Sequence, residues 1–389
     1  MRYVNAASSP FGQAQGPRTT KVAVAAGQTR DGKPVPLVVH VFPTFAVGGS
    51  QVRFAAVANH FGDAFRHIIV SLDGNLACRE RLNPGLDATF PEISAAKNAM
   101  LANAWRFRKQ LKAWQPDVLV TCNWGAIEFA LANLMPVSRH MHVVDGFGPE
   151  ERNVQIPRRV LTRRLALSRT QVVLPSRNLV RIATDIWKLP SKVIRYVPNG
   201  IDLARFASDG ALRGTAEPVI GTVAALREEK NISRLIRAFA MLASGRLVIV
   251  GDGPERPKLE ALAAALGVAD RVEFAGHHQD TAPFYARFDV FALSSDTEQM
   301  PLTMIEAMAS GLPVVSTDVG DVRLMVTPDN ADLITPKDDA ALAAALMRLS
   351  ADAGYRQRIG LANLAKAERD FGQTAMFAAH GALWRGEDI

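Results

Sequence analysis

The sequence predicts an α/β protein with two domains in series, each built on a parallel sheet. Short buried apolar runs alternate with amphipathic helical segments along most of the chain, which is the pattern of strand–helix–strand units. The same alternation starts again after the turn signal Pro198-Asn199-Gly200. A length of 389 residues also suits two domains.

The first domain opens with the buried strand Leu37 to Phe42, followed by an amphipathic helix over residues 50–61. Another helix is predicted over residues 99–114, and a basic helix precedes the last strand of this half. The other predicted strands of this half cover residues 67–72, 118–121, 139–144 and 171–174. In the second half, strands are predicted over residues 219–223, 246–250, 272–274, 290–293 and 313–316.

These elements divide the chain into four predicted regions. Residues 1–36 are rich in Ala, Ser, Gly, Gln and Pro without periodicity, which predicts a disordered tail. The first domain covers residues 37–199 and the second covers residues 200–370. A helix over residues 371–389 is expected to pack back on the first domain. Because open α/β sheets bind ligands at the carboxyl ends of their strands, a ligand is expected in the cleft between the two domains.

Composition excludes several classes of protein. An apolar fraction of 48% and a charged fraction of 21% exclude a disordered or fibrous chain. Cys78 and Cys122 are the only cysteines, so neither a disulfide framework nor a cysteine zinc cluster is expected. No apolar run approaches the roughly 20 residues of a membrane-spanning helix. A cytoplasmic protein is the simplest expectation.

Charge is distributed unevenly along the chain. Residues 37–199 carry a net charge of +10, whereas residues 200–389 carry −7. The basic helix holds five arginines interleaved with leucines, which is typical of a helix that lies on an anionic membrane surface. These arginines are Arg158, Arg159, Arg163, Arg164 and Arg169, and the first four are expected to contact the membrane. The alternative is an ordinary solvated face. Nucleic acid is not an expected partner, because no recognised motif or aromatic platform accompanies the basic residues.

The segment from Ser295 to Val315 is predicted to form a strand end, a loop and a helix that stops at Gly311. Such a helix start presents backbone N–H groups to an anion. Glu298 in the loop and Glu306 one turn into the helix are carboxylates that accept O–H hydrogen bonds from a hydroxyl-rich ligand. The alternative is an ordinary strand–loop–helix with two solvated glutamates.

Glu298 and Glu306, separated by seven residues and followed by Ala-Met-Ala-Ser-Gly-Leu-Pro-Val-Val, resemble the signature of the retaining glycosyltransferases of family 4. Other landmarks of that family occur in the expected order. They are Val47-Gly48-Gly49-Ser50-Gln51, Pro198-Asn199-Gly200-Ile201-Asp202, Gly251-Asp252-Gly253-Pro254 and Val272-Glu273-Phe274-Ala275-Gly276. The resemblance covers residues 37–325 and implies the GT-B fold, in which two Rossmann-like domains face each other across a cleft.

The resemblance implies a donor site in the second domain. Glu306 would bind the ribose hydroxyls, and Glu298 would hold the donor sugar. The backbone that assists Glu298 and the other donor-side positions are Gln299, Met300, Pro301, Leu302, Thr303, Gly251 and Phe274. Lys230 and Arg227, with Gly48 and Gly49, would neutralise the departing diphosphate, and no metal is expected because no Asp-x-Asp pair is present.

Two features depart from the family pattern. Ala225 occupies the usual arginine position, so Arg227 either substitutes from two residues later or is solvated. Gln299 and Met300 replace the usual glycine and aromatic or leucine residue, which leaves the transferred sugar open. The glycine pair at Gly48 and Gly49 has its own alternative, which is a tight turn.

The predicted acceptor site lies at the ends of two neighbouring strands of the first domain. His142 and Asp145 close the strand that begins at residue 139, and the resemblance puts one of them near the transferred sugar. Asp145 is a candidate base for an acceptor hydroxyl, or else it caps the turn that follows. Asn123 and Trp124 follow the preceding strand, where Trp124 either stacks on a sugar ring or belongs to the core.

The resemblance therefore implies a retaining, hexosyltransferase-type enzyme that acts on a nucleotide-sugar donor and an acceptor glycan or lipid-linked glycan. Such an enzyme would serve cell-surface polysaccharide or glycolipid synthesis, peripherally on the inner face of the membrane. Two alternatives remain, a GT-B nucleotide-sugar epimerase and a non-catalytic membrane-associated scaffold.

Overall fold

The computed structural model describes residues 34–96, 98–151, 154–207, 217–387 and 389. The predicted disordered tail, residues 1–36, lies outside the described residues except for Pro34, Val35 and Pro36. The described residues form two units, each a parallel sheet with helices on both faces.

The first sheet has seven described strands in the order β3-β2-β1-β4-β5-β6-β7, all parallel. Its strands are β1 (Leu37–Phe42), β2 (Arg66–Ser71), β3 (Ala88–Thr89), β4 (Val118–Cys122), β5 (Arg139–Val143), β6 (Gln171–Leu174) and β7 (Ile194–Tyr196). Its helices are α1 (Gly49–Phe61), α2 (Met100–Trp114), α3 (Ile127–Ala132), α4 (Pro157–Leu167) and α5 (Arg177–Asp185).

The second sheet has six described strands in the order β10-β9-β8-β11-β12-β13, again all parallel. Its strands are β8 (Val219–Val223), β9 (Arg246–Val250), β10 (Val272–Gly276), β11 (Val290–Leu293), β12 (Val314–Thr317) and β13 (Ile334–Thr335). The helices after β8 are α6 (Ile232–Ala240), α7 (Arg256–Ala265), α8 (Ala282–Tyr285), α9 (Leu302–Ala309), α10 (Val322–Met325), α11 (Pro328–Ala331), α12 (Asp339–Ala351), α13 (Ala353–Asp370) and α14 (Gln373–Arg385).

Both sheets reverse their winding direction at the same place. The first strand in sequence lies between the second and the fourth, so the reversals fall between β1 and β4 and between β8 and β11. The loops that leave these strands diverge and open a crevice, which is where α/β sheets bind ligands. The predicted two-domain α/β architecture is therefore confirmed, and the loops after β1, β4, β8 and β11 position the candidate site.

The layers of the first unit follow from the side-chain alternation of its strands. In β1, Val39 and Val41 pack with Phe107 of α2 and Phe129 of α3 on one face. The opposite face of the strand packs with α1 and α14, where Trp384 is almost fully buried. The end of the chain thus covers the first sheet.

The chain crosses between the two units twice, and the two crossings touch. Ile201 pairs with Gly372, and a side chain on Gly200 would collide with the backbone of the second crossing. The helix α14 then packs against the first unit. The boundaries at residues 199 and 370 stay a prediction.

Some elements differ from the sequence prediction. The short strands β3, β7 and β13 lie at the sheet edges and were not predicted. The sequence favours Pro301 as the first residue of the helix after Glu298, but α9 begins at Leu302 and Pro301 precedes it in extended geometry. Within the described part of the chain, no helix has the length and apolarity needed to span a bilayer.

Candidate functional site

The loop after β11 brings together two residues that are far apart in sequence. The Glu298 carboxylate accepts hydrogen bonds from Lys230 Nζ at 2.6 Å and from Ser295 Oγ at 2.8 Å. Lys230 follows β8, the neighbouring strand in the sheet, so the crevice between β8 and β11 makes this meeting possible. Both side chains keep some exposure, 26% for Lys230 and 11% for Glu298. A cation and a carboxylate therefore stand at the switch point of the second sheet.

Glu306 lies on α9, where it is held by an aromatic hydroxyl. Tyr285 Oη donates to the Glu306 carboxylate at 2.7 Å and also lies 3.1 Å from the Thr303 carbonyl oxygen. Burial raises the pKa of Glu306, and the Tyr285 hydrogen bond and the positive charge of Arg205 offset only part of this effect. The carboxylate is thus oriented from one side by Tyr285.

The two glycines after β1 lie opposite the start of α9. Gly48 precedes α1 in extended geometry, and a side-chain carbon on Gly49 would lie 3.8 Å from Leu302 of the second unit. The start of α1 therefore meets the signature helix across the cleft. Backbone N–H groups at such a helix start attract anions.

Gln299 and Met300 connect the two units. Gln299 Oε1 accepts hydrogen bonds from Ser176 Oγ at 3.2 Å and Asn178 Nδ2 at 3.1 Å. The Met300 carbonyl accepts from Asn199 Nδ2 at 2.8 Å. Gln299 and Met300, the two residues that depart from the family pattern, therefore make hydrogen bonds between the two units.

Gly251 directly follows β9, and Phe274 lies in the middle of the edge strand β10. Gly251 has a φ of +134°, and a side chain there would collide with the Ala224 carbonyl, so this position requires glycine. Phe274 is half-buried, with the Arg256 guanidinium 6.0 Å from its ring centroid. Both residues shape the edge of the second sheet.

Arg227 does not join the Lys230–Glu298 pair. Its side chain is exposed and borders a separate cavity of about 130 Å³ that Glu255 and Lys258 also line. This placement favours the alternative in which Arg227 is solvated.

Asp145 is held by groups that the sequence analysis did not single out. Arg53 Nη1 lies 2.5 Å from Asp145 Oδ1 and donates to Asn199 Oδ1 at 2.8 Å. The Asp145 amide donates to Asn123 Oδ1 at 2.8 Å, and the buried Oδ2 of Asp145 has no hydrogen-bond partner among the described residues. Through Asn199 and the Met300 carbonyl, Arg53 thus links Asp145 to the signature loop.

His142 lies elsewhere than predicted. It is 1% exposed within β5, and its Nδ1 lies 2.7 Å from Thr121 Oγ1 of β4. Burial lowers its pKa far below the ordinary value, and the nearby His140 and Arg163 add to this effect. The structure therefore encloses His142 in the sheet and does not bring it to the cleft.

The surroundings of Trp124 overturn the prediction of a four-arginine membrane face. Arg159 and Arg163 each place their guanidinium 5.0 Å from the Trp124 ring centroid. Arg163 is 3% exposed and binds Glu151 with two hydrogen bonds of 2.8 and 2.6 Å, and Arg159 also donates to Glu151. Burial alone would raise the pKa of Glu151, but these hydrogen bonds and charges lower it.

Only Arg158 and Arg164 of the four arginines are exposed. The other two turn inward because a buried glutamate outside the helix, Glu151, requires charged partners. Trp124 packs with this cluster, as in the core alternative.

A cavity of about 570 Å³ lies between the units beside Glu298. Phe147, Val154 and Ile186 of the first unit supply apolar lining. The wall from the second unit is polar and includes Glu298 and Lys337. Its volume is in the range of a small-molecule site.

Sequence reasoning missed Arg53, Asn199, Asp321 and Tyr285. Asp321 accepts the backbone N–H groups of Arg177 at 2.5 Å and Asn178 at 2.9 Å, so a carboxylate of the second unit caps α5 of the first. The only available signal for Arg53 was a charged residue on the apolar face of α1. Asn199 lies in the turn signal Pro198-Asn199-Gly200, but that signal gave no role for its side chain, and Asp321 and Tyr285 lacked any local pattern.

Two protein-family models match the chain. One, described as Glycosyltransferase Family 4, matches residues 47–205, and the other, described as Glycosyl transferases group 1, matches residues 217–352. Together they cover about three quarters of the chain.

Two curated relatives are lipopolysaccharide core biosynthesis glycosyltransferases by name. The chain is 38% identical over 183 residues to the lipopolysaccharide core biosynthesis glycosyltransferase LpsE of Rhizobium meliloti (strain 1021), which covers 46% of this chain and 53% of LpsE. It is 27% identical over 280 residues to LpsD of the same organism, covering 71% of this chain and 77% of LpsD. The chain thus spans about half the length of LpsE.

Among solved structures, Anabaena Alr3699/HepE in complex with UDP-glucose superposes with a TM-score of 0.76. The superposition covers 90% of this chain and 99% of that one at 18% identity, so it carries the fold alone. Two parallel α/β units facing each other define the GT-B class of glycosyltransferases. Within that class, the chain belongs to glycosyltransferase family 4, the glycosyl transferases group 1.

Proposed function

We propose that the protein transfers a sugar from a nucleoside-diphosphate sugar to an acceptor hydroxyl with retention at the anomeric carbon, in the synthesis of a cell-surface polysaccharide or glycolipid. The observation that carries this proposal is the Lys230–Glu298 pair at the switch point of the second sheet, opposite Gly48 and Gly49. In this scheme residues 200–370 hold the donor and residues 37–199 hold the acceptor.

Lys230 serves the diphosphate. An ammonium group has three N–H donors, so Lys230 can keep its contact with Glu298 while it donates to phosphate oxygens. The same contact offsets the charge of Glu298, which would otherwise repel an anionic donor. The start of α1 lies opposite Leu302, the first residue of α9. Lys230 and the N–H groups of α1 together would supply a preorganised positive potential that stabilises the charge developing on the leaving diphosphate.

Glu306 binds the ribose. Tyr285 fixes its carboxylate from one side at 2.7 Å, and the remaining acceptor positions are suited to two neighbouring hydroxyls. Glu298 accepts from hydroxyls of the donor sugar in the same way.

The cavity beside Glu298 receives the acceptor. Its apolar wall of Phe147, Val154 and Ile186 suits the face of a sugar ring or an apolar aglycone, while Glu298 and Lys337 supply polar contacts. It replaces Asn123 and Trp124 as the acceptor side, because both are already engaged with Asp145 and the arginines of α4. The names of the two rhizobial relatives support a lipopolysaccharide-type acceptor.

The test is nucleotide release from a panel of UDP-, GDP- and ADP-sugars without acceptor. We expect slow release from one of them by the wild type and loss of that release in Lys230→Ala. Lys258→Ala, which removes an exposed cation of the same unit, is the matched control. The anomeric configuration of the released sugar, followed by NMR, tests retention. Release of nucleotide with an isomerised sugar would instead favour an epimerase. If no nucleotide is released from any donor, a non-catalytic scaffold is favoured.

A further inference from the structure

The cavity of about 570 Å³ beside Glu298 is lined by charged side chains of both signs. A plain count makes the lining acidic, since it holds four carboxylates and two cations. The carboxylates are those of Glu151, Asp296, Glu298 and Asp318, and the cations are Arg181 and Lys337. The charge that a ligand meets depends, however, on which of these groups are already paired with an opposite charge.

Each of the four carboxylates has an arginine or lysine within ion-pair distance. The pairs, with their N–O distances, are Glu151–Arg163 at 2.6 Å, Glu298–Lys230 at 2.6 Å, Asp296–Arg234 at 2.9 Å and Asp318–Arg323 at 2.9 Å. The four cations of these pairs lie outside the cavity lining. The negative charge of the lining is therefore offset by groups that do not themselves border the cavity.

Arg181 and Lys337 have no carboxylate partner among the described residues. Arg181 lies on α5 of the first unit, and its Nη2 donates to the Asn178 side-chain oxygen at 3.0 Å. Lys337 follows β13 in the second unit, and its Nζ donates to the backbone carbonyl of Asp296 at 2.6 Å. Both acceptors are neutral, and each cation keeps further N–H donors. The cavity thus retains two positive charges, one from each unit.

The rest of the lining indicates which substrate meets these two charges. Glu298 and Gln299 are the only residues of the proposed donor site that border the cavity in the described part of the chain. Gly49 and Lys230, which are proposed to serve the donor diphosphate, lie outside its lining. The two cations therefore face the acceptor and not the diphosphate.

We propose that the acceptor carries an anionic group, a carboxylate or a phosphate, which Arg181 and Lys337 bind from the two units. The planar guanidinium of Arg181 matches the oxygens of either group, and Lys337 adds a compact point charge. An anion between them also favours the arrangement in which the two units face each other. The inference rests on the proposed transfer reaction and names the class of its acceptor.

The experiment is calorimetry of the full chain with ligands that differ in the anionic group. 4-Nitrophenyl β-D-glucuronide and 4-nitrophenyl β-D-glucoside test a carboxylate, and glucose 6-phosphate and glucose test a phosphate. We expect the anionic member of at least one pair to bind roughly tenfold more tightly than its neutral counterpart, because hydrogen bonds between charged groups are the stronger ones. The pair that shows this preference identifies the anionic group.

Arg181→Gln/Lys337→Gln is expected to abolish the preference and to leave the affinity for the neutral ligand unchanged. The matched control is Arg164→Gln/Lys258→Gln, which removes one exposed cation from each unit with the same change in net charge. It is expected to keep the preference at physiological salt, where the attraction between distant charges is screened. Circular dichroism monitors the fold of both variants.

Two results would overturn the proposal. The first is equal affinity for the charged and neutral members of both pairs, and the second is equal loss of the preference in the two double variants. Acceptor-free nucleotide release distinguishes this failure from failure of the transfer reaction. Release from a donor without any preference for an anion overturns the anionic acceptor alone. A preference for an anion without release from any donor overturns the transfer reaction, and with it the assignment of the anion to an acceptor.

Discussion

The crevice of the second sheet and the strand ends of the first sheet show opposite outcomes for residues of the same chemical kind. In the second unit, Lys230 and Glu298 meet each other and keep a side open to the cleft. In the first unit, Asp145 is paired with Arg53, and His142 is enclosed beside Thr121. The difference teaches that a motif gives the position of a functional group, whereas its availability depends on partners that are distant in sequence.

The largest effect on turnover is expected at Lys230, which lies in the crevice of the second sheet. Lys230→Ala should lower turnover by roughly 100-fold, because the charge of the leaving diphosphate then loses a preorganised cation. Donor affinity should fall less than turnover, since the charge increases in the transition state. Steady-state kinetics with the donor identified by the panel provides the measurement.

Arg227→Ala is the comparison variant for Lys230. Its side chain is exposed and borders another cavity, so turnover should change by less than about twofold. If both variants are equally impaired, Arg227 reaches the diphosphate in the working enzyme and the contrast between the two cations fails.

The next largest effect concerns the pairing of Arg53 with Asp145 in the first unit. Arg53→Met leaves the half-buried Asp145 carboxylate, which is 16% exposed, without its cation and should lower the free energy of unfolding by about 3 kcal/mol, the lower end of the cost of breaking a buried pair. Urea unfolding followed by circular dichroism measures this loss.

The double variant Arg53→Met/Asp145→Asn removes both charges and should recover most of the lost stability. Asp145→Asn alone separates a chemical role from a structural one. If it folds like the wild type but loses turnover, Asp145 acts on the acceptor, and the first unit is as open as the second.

The parts of the molecule that could be predicted share a local signal. Short continuous apolar runs predicted most strands, and the contiguous segment around Glu298 and Glu306 indicated the family and the position of the donor crevice. The environments of Trp124 and Asp145 could not be predicted, because they depend on Glu151 and Arg53, which meet them only in the folded chain. A buried carboxylate selects its cations by geometry, and no spacing in the sequence records that choice.

A moderate effect is expected at Glu306. Glu306→Ala should weaken nucleotide binding by roughly tenfold, because the ribose hydroxyls lose a charged acceptor. Isothermal calorimetry with the nucleotide measures the change. Unaltered affinity would remove Glu306 from the donor site.

Glu306 also predicts a pH dependence. Burial raises its pKa, so the carboxylate gains a proton at a higher pH than an ordinary glutamate. Nucleotide affinity should therefore fall as pH drops through that raised pKa, and this component of the fall should be absent in Glu306→Gln. The raised pKa also means that the ionised form opposes folding. The protonated form of Glu306 favours folding. This contribution to stability is fully present below the ordinary pKa of glutamate and is lost as pH rises through the raised pKa. Glu306→Gln should therefore be at least as stable as the wild type near neutral pH.

The smallest effect is expected at Asp321, which connects the two units. Asp321 accepts the N–H groups of Arg177 and Asn178 across the cleft, in the manner of a helix cap. Asp321→Ala should lower the free energy of unfolding by about 1 kcal/mol, the usual cost of a lost cap. Asp338→Ala removes a cap confined to the second unit, in which Asp338 Oδ1 accepts from the Ala341 amide at 2.8 Å, and serves as the matched control. Amide exchange distinguishes the two variants. If the units separate when Asp321 is removed, exchange should accelerate at Arg177 and Asn178 and also around Gln299, whereas Asp338→Ala should accelerate exchange chiefly at Ala341. Identical exchange patterns would mean that the contact through Asp321 does not hold the two units together.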